Sequence, residues 1–254
     1  MNIVVLAKYI PDPNATPDIG EDFRVKREGV EGALDPGDEF AVEAALQLVD
    51  QAGGEVTVVS MGPTDAMTAI RKALSMGCHK GVLITDDALK GADVLVTAKV
   101  LAGAIQLQEF DLVLTGVEST DGSTGTLPMS LAEYLGVPSG TFARKLDLAD
   151  GKATIERQTE AGYDVVECPL PALVSVTAGV NEPRYPKLKE IMAAKNKPID
   201  QLSAADLGFS AEDLQPTQTV ASIEPAPERA AGEVIQAADA PAKIVSFLKE
   251  AKLI

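Results

Sequence analysis

The sequence has no tryptophan, a single histidine and two cysteines, and only 4% of its 254 residues are aromatic. His79 has too few soft partners to assemble a zinc site, so no structural metal is expected. Cys78 and Cys168 stand apart with no Cys-x-x-Cys spacing, which argues against a disulfide framework and for buried thiols in a reducing compartment. No stretch approaches the ~18–20 apolar residues of a membrane-spanning helix. The opening "MNIVVLAKYIPDPN" has only a short apolar run, with no basic region before it and no cleavage pattern; a cytoplasmic protein is expected. Positive charge is scarce: 22 Lys and Arg against 38 Asp and Glu leave a formal net charge of −16. Such a chain lacks the global attraction that phosphate backbones and anionic lipid demand, which argues against nucleic acid and membrane surfaces as partners. There is also no serine elbow, histidine–carboxylate pairing or metal motif, so no catalytic residue is assigned. Any reaction the chain joins relies on a cofactor or a second subunit.

With 46% hydrophobic residues over 254 positions, the chain can bury a sizeable core. Four apolar, β-branched runs, "IVVLA" at 3–7, "VTVVS" at 56–60, "GVLIT" at 81–85 and "DLVLTG" at 111–116, predict strands covered on both faces. Helical patterns alternate with them. The first follows "LDPGDEF", with Asp35 as N-cap and Pro36 in the first turn; "TDAMTAIRKALSMG" and "ADVLVTAKVLAGAIQ" supply two more. The alternation predicts an α/β fold, a mostly parallel, doubly wound sheet with helices on both faces and ligands beyond the carboxyl ends of the strands. Residues 140–178 carry short strand-like runs and turn signals, and predict antiparallel additions. From about 202 the composition turns to Ala, Pro and polar residues, which cannot form a core alone, and the chain ends in a short amphipathic helix. The expected organisation is a nucleotide-binding domain over 1–200 and a C-terminal arm over 201–254.

The most informative strand exit is "TGVESTDGSTGTLPMSLAEYLGVP", residues 115–138. Glycines let backbone N–H groups converge, hydroxyls add donors, and the following helix start adds partial positive charge, a combination that favours phosphate. Without a P-loop or a Gly-x-Gly-x-x-Gly pattern, a plain flexible loop stands as the alternative. Within it, Glu118 and Asp121 read as a solvated carboxylate and an Asx turn. A second oddity is "NEPRYPKLKEIMAAKNKPI", 181–199, where Leu188, Ile191 and Met192 share a helical stripe amid lysines and arginines. That stripe faces either the chain's own core or another protein.

These segments, together with "DEFAVEAALQL", "AIRKALSMG", "GVESTDG" and "LPALVSV", resemble the β subunit of electron transfer flavoproteins over nearly the whole length. The resemblance implies a universal-stress-protein-like, adenine-nucleotide-binding sheet and a heterodimer with a larger α subunit that holds most of the FAD. This chain would then be a non-enzymatic electron carrier subunit that buries a structural AMP. The AMP contacts carry over to Leu6, to Asp35, Pro36, Gly37 and Asp38, to Met61, and to the loop Gly116, Val117, Glu118, Ser119, Thr120, Asp121, Gly122, Ser123, Thr124, Gly125, Thr126 and Leu127. In the family, 181–199 is the recognition loop, so Leu188 inserts into an acyl-CoA dehydrogenase with Ile191, Met192 and Arg184 beside it. Electrons would pass on to a membrane quinone oxidoreductase. The arm from 201 onward would wrap the α subunit. Pro13 stands where some relatives place a tyrosine next to the flavin. One alternative is the flavin-bifurcating branch, with a second FAD in this subunit that oxidises NADH; another is a stand-alone nucleotide-binding stress-type regulator.

Overall fold

The apolar runs become the centre of one sheet. The structure, a computed structural model, describes residues 1–254 except Glu28, Pro225, Ala226, residues 228–231, Glu233, Gln236 and Ala237. Its elements run β1 (Asn2–Leu6), β2 (Tyr9–Pro11), β3 (Gly32–Leu34), α1 (Pro36–Ala52), β4 (Glu55–Met61), α2 (Met67–Met76), β5 (Lys80–Ile84), α3 (Val94–Gln106), β6 (Leu112–Gly116), α4 (Leu127–Leu135), β7 (Ser139–Ala149), β8 (Lys152–Thr159), β9 (Gly162–Pro169), β10 (Ala172–Val176), α5 (Leu188–Ala194), β11 (Ile199–Leu202) and α6 (Ala240–Glu250). Among the described residues the main sheet has nine strands in the order β11-β5-β4-β1-β6-β10-β7-β8-β9. Every pairing from β11 to β7 is parallel; β7, β8 and β9 add antiparallel strands.

Side chains along β1 alternate between two cores. Ile3 and Val5 pack with Ala41, Ala45, Ile70 and Leu74 of α1 and α2. Val4 and Leu6 pack with Val100, Leu101, Ile105 and Leu131 of α3 and α4. Helices therefore cover both faces, as the consecutive apolar positions require. At roughly 25 cal/mol per Å² of apolar surface, these two cores are the main force holding the sheet.

The first compact unit is Met1–Val220 and the second is Ala221–Ile254. Residues 201–220 thus belong to the first unit. β11 pairs along β5 from Ile199↔Gly81 to Leu202↔Ile84. Ala204, Leu207, Phe209 and Leu214 then join the α3 core. Asp93 fastens this segment: it caps α3 at the Val96 N–H (2.9 Å) and accepts from the Thr217 N–H (2.6 Å) and hydroxyl (2.8 Å). In the second unit, α6 has Pro241 in its first turn and no buried residue, and Ile244, Val245 and Phe247 are exposed.

Candidate functional site

After β1 the chain adds β4 and β5 on one side, then returns through α3 to place β6 on the other side of β1. That reversal leaves a crevice at the carboxyl ends of the strands. A cleft of about 200 Å³ lies there, more than ten times the ~10–15 Å³ that one water needs on the same measure. Its apolar lining includes Leu6, Val59, Met61 and Leu101; its polar lining includes Lys8, Asp38, Asp93, Thr97, Ser119, Gly122 and Thr124, with Leu127 and Pro128 at the start of α4.

The loop after β6 is fixed against the first turn of α1. Asp35, fully buried, accepts from the Gly37 N–H at 2.8 Å as N-cap, and from the Thr120 N–H at 2.6 Å and hydroxyl at 3.0 Å. A Cβ at Gly116 would lie 2.9 Å from Asp38 Oδ1 and 3.3 Å from the Gly37 carbonyl carbon, so glycine is what lets strand end and helix start meet. Asp38 Oδ2 accepts from the Lys8 N–H at 2.7 Å. Burial, reinforced by the adjacent Asp35 and opposed by the Lys8 and Gly116 N–H groups, pushes the Asp38 carboxyl up to about 7.

Glu118 is exposed, as a solvated carboxylate is, but Asp121 departs from its reading as an Asx turn. Its side chain is 4% exposed, and it bridges the Lys8 ammonium (2.7 Å at Oδ1) and the Arg27 guanidinium (2.5 Å at Oδ2). Burial works to raise this carboxyl, but the two cations outweigh burial and hold it below the usual carboxylate range. Lys8 Nζ also donates to Ser119 Oγ at 3.0 Å.

Of the expected contacts, Leu6, Asp38, Met61, Gly116, Val117, Glu118, Ser119, Gly122, Thr124 and Leu127 line the cleft. Asp35, Thr120 and Asp121 brace it from behind. Pro36, Gly37, Ser123, Gly125 and Thr126 sit in the flanking turns, where Ser123 (φ 44°) and Gly125 (φ 62°) take the left-handed backbone. Sequence reading missed Lys8, Asp93 and Thr97, which β1 and α3 bring in; the position of Lys8 directly beyond a strand end was the available signal.

Three features of this lining suit an adenine ring joined to a phosphate. The N–H groups of Gly122 and Thr124 meet no acceptor among the described residues. Thr126 makes no side-chain cap at the start of α4, leaving that helix terminus open to an anion. The apolar wall offers a flat base a dry surface.

The 181–199 segment forms a separate feature. Arg184 turns inward: its Nε meets Glu43 Oε2 at 2.7 Å and its Nη2 meets Asp50 at 2.9 Å, contacts that raise its already high pKa. Downstream, Arg71 donates to the Ala194 and Lys197 carbonyls, and Lys197 Nζ donates to the Leu74 and Cys78 carbonyls. Between these ties Leu188 is 74% exposed and Met192 64%, with Ile191 partly so.

The electron transfer flavoprotein domain model matches residues 22–207. The chain belongs to the electron transfer flavoprotein family, among its β subunits. The electron transfer flavoprotein subunit beta of Mycobacterium bovis is 41% identical over 264 residues, covering 100% of this chain and 99% of that one. That of Bacillus subtilis is 38% identical over 259 residues, with 100% of both covered. The caffeyl-CoA reductase-Etf complex subunit CarD of Acetobacterium woodii is 36% identical over 263 residues, again with both covered in full. Members of this family are electron carriers, and a β subunit implies an α partner. Among the described residues no helix is long and apolar enough to cross a membrane.

Proposed function

We propose that this chain is the nucleotide-holding and docking half of an electron-carrying heterodimer: AMP fills the cleft, and the FAD is held mainly by the α subunit. The observation that carries the reading is the cleft itself, lined by two loop residues whose N–H groups meet no acceptor among the described residues, by the open start of α4 and by Lys8, beside an apolar wall. AMP would serve structure, filling the crevice beyond the ends of β1, β4 and β6. The bound FAD supplies the electron-carrying chemistry.

The residues of this chain act by position. Gly122 and Thr124 offer N–H donors to phosphate, and Leu6 and Met61 cover the base. Asp38, kept largely protonated below neutrality, adds little negative charge next to the phosphate. On the docking side, exposed Leu188, Ile191 and Met192 enter an apolar pocket of an acyl-CoA dehydrogenase, with Lys187, Lys189 and Lys195 steering an acidic rim. Electrons then pass toward a membrane quinone oxidoreductase.

Mass spectrometry and absorbance of small molecules released from the co-expressed heterodimer test this directly. One AMP and one FAD per pair are expected. Two FAD and no AMP would replace the reading with the bifurcating one, in which a flavin in this cleft meets NADH.

A further inference from the structure

Resting on the reading of the cleft as a nucleotide monophosphate site, we infer that Lys8 is its phosphate-holding ammonium and that Arg27, acting through Asp121, is the residue that positions it. The cleft needs such a device. Glu118 and Asp93 both line it, and these carboxylates repel the anion that the cleft is proposed to receive. Among the described residues Lys8 is the one cation in the lining.

Its ammonium is aimed. Ser119 Oγ at 3.0 Å and Asp121 Oδ1 at 2.7 Å fix two of its three N–H directions. Nζ lies 3.6 Å from where a Cβ on Gly122 would stand, beside a loop N–H that has no acceptor among the described residues. A lysine tied only to one carboxylate would be neutralised by it. Here Asp121 is shared: Arg27 Nε (3.1 Å) and Nη2 (2.5 Å) both donate to Oδ2. The three groups together carry one net positive charge. The Arg27 side chain is outside the lining and reaches in from the segment between β2 and β3, far from Asp121 in sequence. It is a positioning residue, distinct from the groups that touch ligand.

The relay acts on phosphate and on nothing else in the nucleotide, which gives it a signature that general loop damage lacks. Co-expressed heterodimer freed of endogenous nucleotide is titrated calorimetrically with AMP and, separately, with adenosine. Arg27→Ala is expected to weaken AMP by about tenfold to a hundredfold, the worth of one charge-assisted hydrogen bond, while adenosine affinity stays the same. Arg27→Lys should recover part of the loss. In the Arg27→Ala, Lys8→Met double variant the losses should fall well short of adding, because one effect runs through the other. Equal weakening of AMP and adenosine, full additivity, or unchanged AMP affinity overturns the relay and leaves the site standing. A wild-type heterodimer that binds neither compound overturns the site and the relay together.

Discussion

At the residue scale, the two buried aspartates of the cleft respond to pH in opposite directions. Asp38 is raised from 3.8 to about 7, chiefly by burial. A carboxyl that folding holds protonated contributes stability that is fully present below 3.8 and lost as pH rises through about 7. Asp121 is lowered, so its contribution is present above its ordinary 3.8 and lost as pH falls through its folded value. Asp38→Asn keeps an acceptor for the Lys8 N–H and removes the titration. Urea unfolding midpoints between pH 5 and 8 should therefore decline in the wild type and stay nearly level in the variant, which becomes the more stable of the two at pH 8. Asp38 was legible in the sequence as part of a helix start beside a strand-exit loop. Its protonation was not, because that depends on Gly116 and Lys8 arriving from other elements.

At the element scale, α5 shows how one segment divides anchoring from display. Leu188→Ala removes a side chain 74% exposed, so folding stability should change by less than about 0.5 kcal/mol. Electron delivery from an acyl-CoA dehydrogenase, followed by stopped-flow absorbance, should slow at least severalfold with flavin content unchanged. Arg184→Ala should do the reverse first: Glu43, 4% exposed, loses its cationic partner and keeps only the Gln47 amide and the residue-184 N–H, which costs about 1–3 kcal/mol in a urea melt, and docking falls as a consequence of the loosened segment. The stripe of Leu188, Ile191 and Met192 could be read from helical spacing, but spacing alone left its direction open. The inward role of Arg184 was hidden because its carboxylate partners lie on α1, far away in the chain. The central strands were readable for the opposite reason: β1, β4, β5 and β6 are apolar at consecutive positions, a local signal. β11, "IDQL", is half polar at the edge of the sheet and carries no such mark.

At the scale of the whole molecule, the division falls after Val220, since β11 and the residues from Ala204 to Leu214 complete the first unit. Composition suggested an earlier break because it registers scarce apolar residues and cannot register that four of them cover α3. A chain ending at Val220 should fold with a thermal midpoint within a few degrees of the full chain, and should fail to co-purify with the α subunit if exposed Ile244, Val245 and Phe247 of α6 grip that partner. Thermal denaturation of the truncated chain checks the first half and affinity pull-down of the truncated pair the second. The double tethering of α5, by Arg184 upstream and Lys197 downstream, has a kinetic side. A protrusion whose roots are already immobile has little freedom left to surrender on contact, so landing can rest on a small apolar footprint. Small footprints let go quickly, so under the proposed docking role a carrier that visits one donor after another turns over only as fast as it can leave.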